Sequence, residues 1–185
     1  PDWQSKNLNT LIADAINANQ MYLVQIIKQY RTGRVDSLSY RVTRRKAHEM
    51  DAALSIAMSN MALEPAKHRS DEENYQFLVL NHVLLSYIST LGAHRKKIEN
   101  RSTILEIDRI SECIFQQLSQ LHRLFRNKTS GIEIRTKSLA LNELWPNNSQ
   151  REDDNVRIIY YQLSLINQTL VEFYDLFVKK SVSDK

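Results

Sequence analysis

The side chains able to do chemistry are few. Five histidines and one cysteine are present, and the residues around each decide what it can do. His48 opens the string HEMDA at 48–52, which begins like the HExxH of a zinc protease but closes on Ala52, so the second ligand is missing. No histidine has a glutamate three residues before it, whereas a di-iron helical bundle needs such pairs on facing helices. The three glycines are isolated, which leaves no phosphate-cradling loop, and there is no GxSxG elbow. Cys113 falls in an apolar stretch with no neighbouring base to activate it. The expectation is no catalytic residue, no cofactor, no metal and no enzymatic role.

Arg41, Arg44, Arg45 and His48 are what remains. At 100° per residue they share one side of a helix, opposite the apolar positions. Like charges at this spacing cost roughly 0.2 to 0.5 kcal/mol per pair, and Glu49 can reach back to Arg45. Two readings stay open: a solvated face with local ion pairs, or a surface for an anionic partner. An acidic membrane would supply about 1 kcal/mol per basic residue. His82, beside Asn81 in the most apolar stretch, reads as a core histidine satisfied by a hydrogen bond. His94-Arg95-Lys96-Lys97 reads as a terminus compensating a helix dipole.

The elements that carry these residues follow from periodicity. Leu8, Leu11, Ala15, Tyr22, Ile26 and Tyr30 draw a first helix stopped by Thr32-Gly33. Residues 1–7, with Trp3, form a lead-in. A second helix over about 37–63 has a seam of Tyr40, Thr43, Ala47, Met50, Leu54, Ala57 and Met61. Its outer face turns from cationic to small at Ala52, Ser55 and Ser59. Pro65 ends it. A capping box at Ser70 and Glu73 opens a third helix that is apolar nearly all round over 71–98 and is therefore expected to be central.

A fourth helix over about 102–126 runs through Ile107, Ile110, Ile114, Leu118, Leu121 and Phe125. Residues 127–150 form the one long connection, with a short helix expected near Leu139 to Leu144. Ser149 and Glu152 cap a last helix whose seam, Val156, Ile159, Leu163, Ile166, Leu170, Phe173 and Phe177, suits either the bundle core or a coiled-coil dimer. The fold class is thus all-α, an antiparallel bundle of about five long helices in a single domain, 1–185.

Composition agrees. Three glycines and three prolines in 185 residues favour long helices. A single cysteine points to a reducing compartment. No 18 consecutive apolar residues occur, so no span is expected from this criterion. A net charge of +4 is too small to argue for nucleic acid, and no reading motif is present. The chain opens on Pro1 and carries no signal peptide, so the expectation is a piece of a longer polypeptide.

Residues 40–69, YRVTRRKAHEMDAALSIAMSNMALEPAKHR, together with PDWQ at 1–4, ANQMYL at 18–23 and LNHVLLSYISTLGAHR at 80–95, resemble the cytoplasmic part of the YccS/YhfK-type inner-membrane proteins. These stand in the broader fusaric-acid-resistance and aromatic-acid-exporter family. The resemblance covers about the first half of the chain. It implies a bacterial efflux transporter with transmembrane segments before Pro1, of which this is a domain on the cytoplasmic face of the inner membrane. It supplies no catalytic residue.

The expected role is assembly or regulation of that transporter. Partners would be the transmembrane part of the same protein, anionic lipid head groups and a second copy of the chain. Trp3 is the candidate membrane-proximal anchor, and Arg41, Arg44, Arg45 and His48 the candidate anionic-partner surface. The rival expectation is a self-contained helical module that senses a small aromatic or anionic ligand.

Overall fold

The computed structural model describes residues 2–62, 68–127 and 153–183, with side chains defined from residue 7 onward except 61–62, 68–72 and 180–183. All five described elements are helices: α1 (Asp2–Thr32), α2 (Leu38–Ala62), α3 (His68–Ala93), α4 (Arg101–Asn127) and α5 (Asp154–Ser183). The all-α class is as the periodicity requires. The short helix expected at Leu139 to Leu144, the Ser149 cap and the rest of the long connection lie outside the described residues.

Three boundaries move. α1 starts at Asp2 rather than about Leu8, because nothing between them breaks a helix and an acid suits the positive end of the dipole. α3 starts at His68, so Ser70 lies inside the helix instead of capping it. α5 is capped by Asp153, whose carboxylate accepts from the Asn155 N–H at 3.4 Å and whose carbonyl accepts from Val156 and Arg157. At the other end of α1, Gly33 takes φ +82° and donates to the Gln29 carbonyl. That left-handed residue ends the helix as glycine does most readily.

Hydrogen-bonded pairs fix the directions. Arg31 meets Asp108, Gln20 meets Ser119 and Arg126 meets Asp14, so α1 and α4 run antiparallel. Asp51 of α2 meets Asn81 and His82 of α3. Tyr160 meets Glu106, and both Asn167 and Tyr174 meet Gln117. Rising numbers on α5 therefore match rising numbers on α4, and these two helices run parallel. The strict up-and-down order stops at α4.

α1 is the central helix. It packs against α2, α3 and α4, while α3 packs against α1, α2 and α5. α3 is contacted on several sides, as expected of it, but Tyr75, Val79 and His82 are exposed. α1 supplies more of the fully buried large side chains, with Ile12, Ile16, Tyr22, Leu23, Ile26 and Tyr30 against Phe77, Leu84, Ile88 and Leu91 of α3. Glu73–Ala93 is nonetheless long and apolar enough, by length and composition alone, to cross a membrane. In the bundle it buries Phe77, Leu84, Leu85, Ile88 and Leu91, along with Asn74 and Asn81.

The α4 and α5 seams are buried as their spacing demands, whereas in α2 Thr43 and Ala57 are only half-buried, Met58 joins the core and the Met61 side chain lies outside the described residues. Tyr40, Ala47 and Leu54 of α2 are in the core, with Met50 packed against it. Every α4 position named from the sequence is buried. Of the α5 seam, Val156 through Phe173 is buried and Phe177 is packed against the core. That seam is used inside the chain, so it is not the face of a coiled-coil dimer. Phe77 sits between Phe125, edge-on at 5.0 Å, and Phe173, stacked at 6.2 Å, which ties α3 to α4 and α5.

Candidate functional site

The α1–α2 and α3–α4 connections meet at one end of the bundle. Ile98 N–H donates to the Tyr30 carbonyl at 2.9 Å, and Gly33 lies against Lys97. Segments 31–45 and 94–101, both at this end, hold nine arginines and lysines against two acids. Their formal +7 exceeds the +4 of the whole chain, so this end is a cationic pole and the remainder is net acidic.

Arg41, Arg44, Arg45 and His48 are all exposed, on the flank of this pole. Arg45 Nε donates to Glu49 at 2.6 Å, the one-turn pair expected from the sequence, and Arg41 lies 4.0 Å from Asp36. Both pairs are open to water and add little stability. Arg31 pairs with Asp108 and Lys97 with Glu99. Among the described residues Arg34, Arg44, Lys96 and Arg101 have no acidic partner. The negative ends of α1 and α3 lie here too, which accounts for some of the charge.

Arg95 is different. Only 5% exposed, it lies with its guanidinium carbon 3.6 Å from the centre of the Tyr40 ring. Its Nε and Nη1 are sealed from solvent and have no hydrogen-bond partner, and no described acid pairs with it. Desolvating a cation costs several kcal/mol, of which a desolvated cation–π contact returns about 2 kcal/mol or somewhat more. The sequence placed Arg95 among dipole-compensating residues past α3. It belongs instead to the core, because Tyr40, 55 residues earlier, covers it, and no local pattern signals that.

Around it, the Tyr22 and Tyr40 hydroxyls lie 3.2 Å apart above Gly92. A Cβ on residue 92 would come within 2.8 Å of the Tyr22 oxygen and 3.1 Å of the Tyr40 oxygen, so only glycine leaves room for the pair. Burial first, then the Tyr40 hydroxyl, pushes the Tyr22 phenol pKa upward, and the Arg44 charge works against them. Tyr30 is pushed up by burial, opposed by Arg95.

A second polar group lies at mid-height. Asn19 Nδ2 donates to Asn81 Oδ1 at 2.9 Å, Asn81 Nδ2 donates to Asp51 Oδ1 at 2.7 Å, and His82 Nδ1 is 2.9 Å from Asp51 Oδ2. The chain links α1, α3 and α2. His82 is thus hydrogen-bonded as expected but is not a core residue: its side chain is 73% exposed, and the buried member is Asp51. Neither this group nor any other described set of histidine, cysteine, aspartate or glutamate gathers three potential metal ligands. A cleft of about 280 Å³ between the starts of α4 and α5 sets Lys97 beside Glu99 and Asp153, with no net preference for an anion.

Trp3 falls at the opposite end. Its side chain lies outside the described set, but its backbone is in the first turn of α1. Tyr22, level with Tyr40, is nineteen residues on, or about 28 Å at 1.5 Å per residue. The two features expected to face a membrane are therefore separated by most of the bundle's length.

Fold and pole together define an all-helical bundle with one strongly basic end. In sequence the chain is related to YccS-type proteins. It is 43% identical over 109 residues, 58% of its length, to the inner membrane protein YccS of Escherichia coli, and 34% identical over 199 aligned residues, 97% of its length, to an uncharacterized protein of Haemophilus influenzae. An uncharacterized protein of Neisseria gonorrhoeae is 44% identical over 68 residues. The matches span 15%, 26% and 16% of those relatives, so each covers only about a quarter of the relative or less. No family model and no solved structure matches the chain.

Proposed function

We propose that this chain is a helical domain on the cytoplasmic face of a bacterial inner-membrane efflux transporter, where it serves assembly or regulation rather than catalysis. The observation that carries the reading is the 43% identity to a protein named as an inner membrane protein. The structure adds a self-sufficient core and a polarised surface, which suit a domain that docks on something.

The geometry constrains how a membrane could be met. With Trp3 at the bilayer and the bundle upright, Arg41, Arg44 and Arg45 stand about 20 to 27 Å away, beyond the roughly 8 Å over which charge acts at physiological salt. Contact of the stripe with head groups requires the bundle to lie on its side. Upright, the pole faces the cytoplasm and an acidic partner or solute.

Topology is tested by fusing fluorescent protein or alkaline phosphatase after the matching stretch of YccS. A fluorescent first fusion and an inactive second are expected, and the reverse pattern overturns the cytoplasmic placement. Orientation is tested by sedimenting the chain with phosphatidylglycerol or phosphatidylcholine vesicles. Binding to the acidic vesicles that disappears on changing Arg41, Arg44 and Arg45 to Glu supports a flat bundle, and equal binding in all cases removes that arrangement.

A further inference from the structure

We propose that Arg95 is the centre of a binding site for a single anionic group, a carboxylate or a phosphate, at the cationic pole. The inference does not depend on the membrane reading, and it concerns a buried residue rather than the exposed stripe. An arginine this deeply buried normally faces a carboxylate or caps carbonyls. Arg95 does neither among the described residues: it forms no ion pair, and its sealed Nε and Nη1 are unbonded. This leaves Nη2 as the edge through which a ligand can reach it.

The surroundings are built for that role. The Tyr40 ring at 3.6 Å holds one face of the guanidinium and fixes its plane. Tyr40 itself is clamped by Tyr22 over Gly92. Tyr40 lies in the first turn of α2, so the positive end of that helix dipole is adjacent. Arg44, one turn further along α2, acts electrostatically on Tyr22 and has no acidic partner among the described residues. Ser89 of α3 lies beside the Tyr22 hydroxyl and adds to the clamp on that pair. Exposed Arg34, Lys96 and Arg101 raise the local concentration of anions without themselves being buried. With Nε and Nη1 sealed, an anion is held through the N–H groups of Nη2 alone, to which carboxylate and phosphate oxygens make short charge-assisted hydrogen bonds.

The test follows the Arg95 Nε–H resonance by 1H–15N NMR in the 185-residue chain. Sodium phosphate and sodium acetate are titrated at constant ionic strength against sodium chloride. A saturable shift with phosphate or acetate that chloride does not reproduce is expected. Arg44→Gln, an exposed change, should weaken it several-fold, and Arg95→Met should abolish any phosphate-dependent rise in Tm while melting in chloride no lower than the parent. Vesicles of phosphatidylglycerol and of phosphatidylcholine separate the sources: a response to the former alone, with none to soluble anions, assigns the site to a lipid head group. A resonance that moves equally in every salt and ignores both vesicles overturns the proposal. So does a phosphate-dependent rise in Tm that persists undiminished in Arg95→Met.

Discussion

Replacing Asp51 by Ala removes the acceptor at the centre of the polar chain between α1, α2 and α3. Asn81 is 1% exposed and loses the partner of its Nδ2. An orphaned buried donor costs about 1 to 3 kcal/mol. The contact to His82 is mostly solvated and adds about 1 kcal/mol at most. The sum, about 1 to 4 kcal/mol, corresponds to a fall in Tm of about 2 to 16 °C for a chain of this size. His82→Ala should lower Tm by no more than about 4 °C. A double-mutant cycle of Asp51→Ala with Asn81→Ala, read by chemical denaturation, should give a coupling of about 1 to 3 kcal/mol. If Asp51→Ala melts with the parent, or His82→Ala costs as much as Asp51→Ala, the assignment of Asp51 as the structural hub is wrong.

Other outcomes follow from the same packing. Phe77→Ala, fully buried between Phe125 and Phe173, should cost about 3 to 5 kcal/mol in a urea titration. Gly92→Ala gains about 1 kcal/mol of helix propensity but forces the Tyr22–Tyr40 pair apart, an overpacking cost of about 1 to 3 kcal/mol. The net change should be destabilising, and crystallography or Tyr-ring NMR shifts should show the two hydroxyls separated. Burial raises the pKa of Tyr22, Tyr30 and Tyr174. Folded values above the unfolded one near 10 mean that this contribution is intact below about pH 10 and is lost as pH rises beyond it. Absorbance at 295 nm should show these three still neutral in the folded chain at pH 11, and stability should fall with pH above 10.

Periodicity alone fixes the helices and their inward faces. A three-four spacing of apolar residues can bury its stripe in only one way, and the named α4 and α5 seam positions are all buried except Phe177, which is half-buried against the core. Arg41, Arg44, Arg45 and His48 are legible for the same reason, since opposite the seam means outside. Gly33 marked the end of α1 because its effect is local, while the expected stop at Pro65 lies outside the described residues.

What could not be read is whatever depends on which helix lies against which. α3 is richer in apolar residues, yet α1 is central, because centrality follows from packing order and not from composition. Adjacent letters parted company twice: Asn81 is buried and His82 exposed, and Arg95 is buried between an exposed Lys96 and a half-buried His94. Asp51 attracted no notice, since a lone acid on an amphipathic helix carries no sign of a partner thirty residues away. The sequence by itself determined an all-helical chain with a basic stripe. Only the tertiary structure decided that this stripe belongs to a pole far from Trp3, and that a buried arginine without an acid lies within it. Charge is written locally, but burial is a property of several segments folded together.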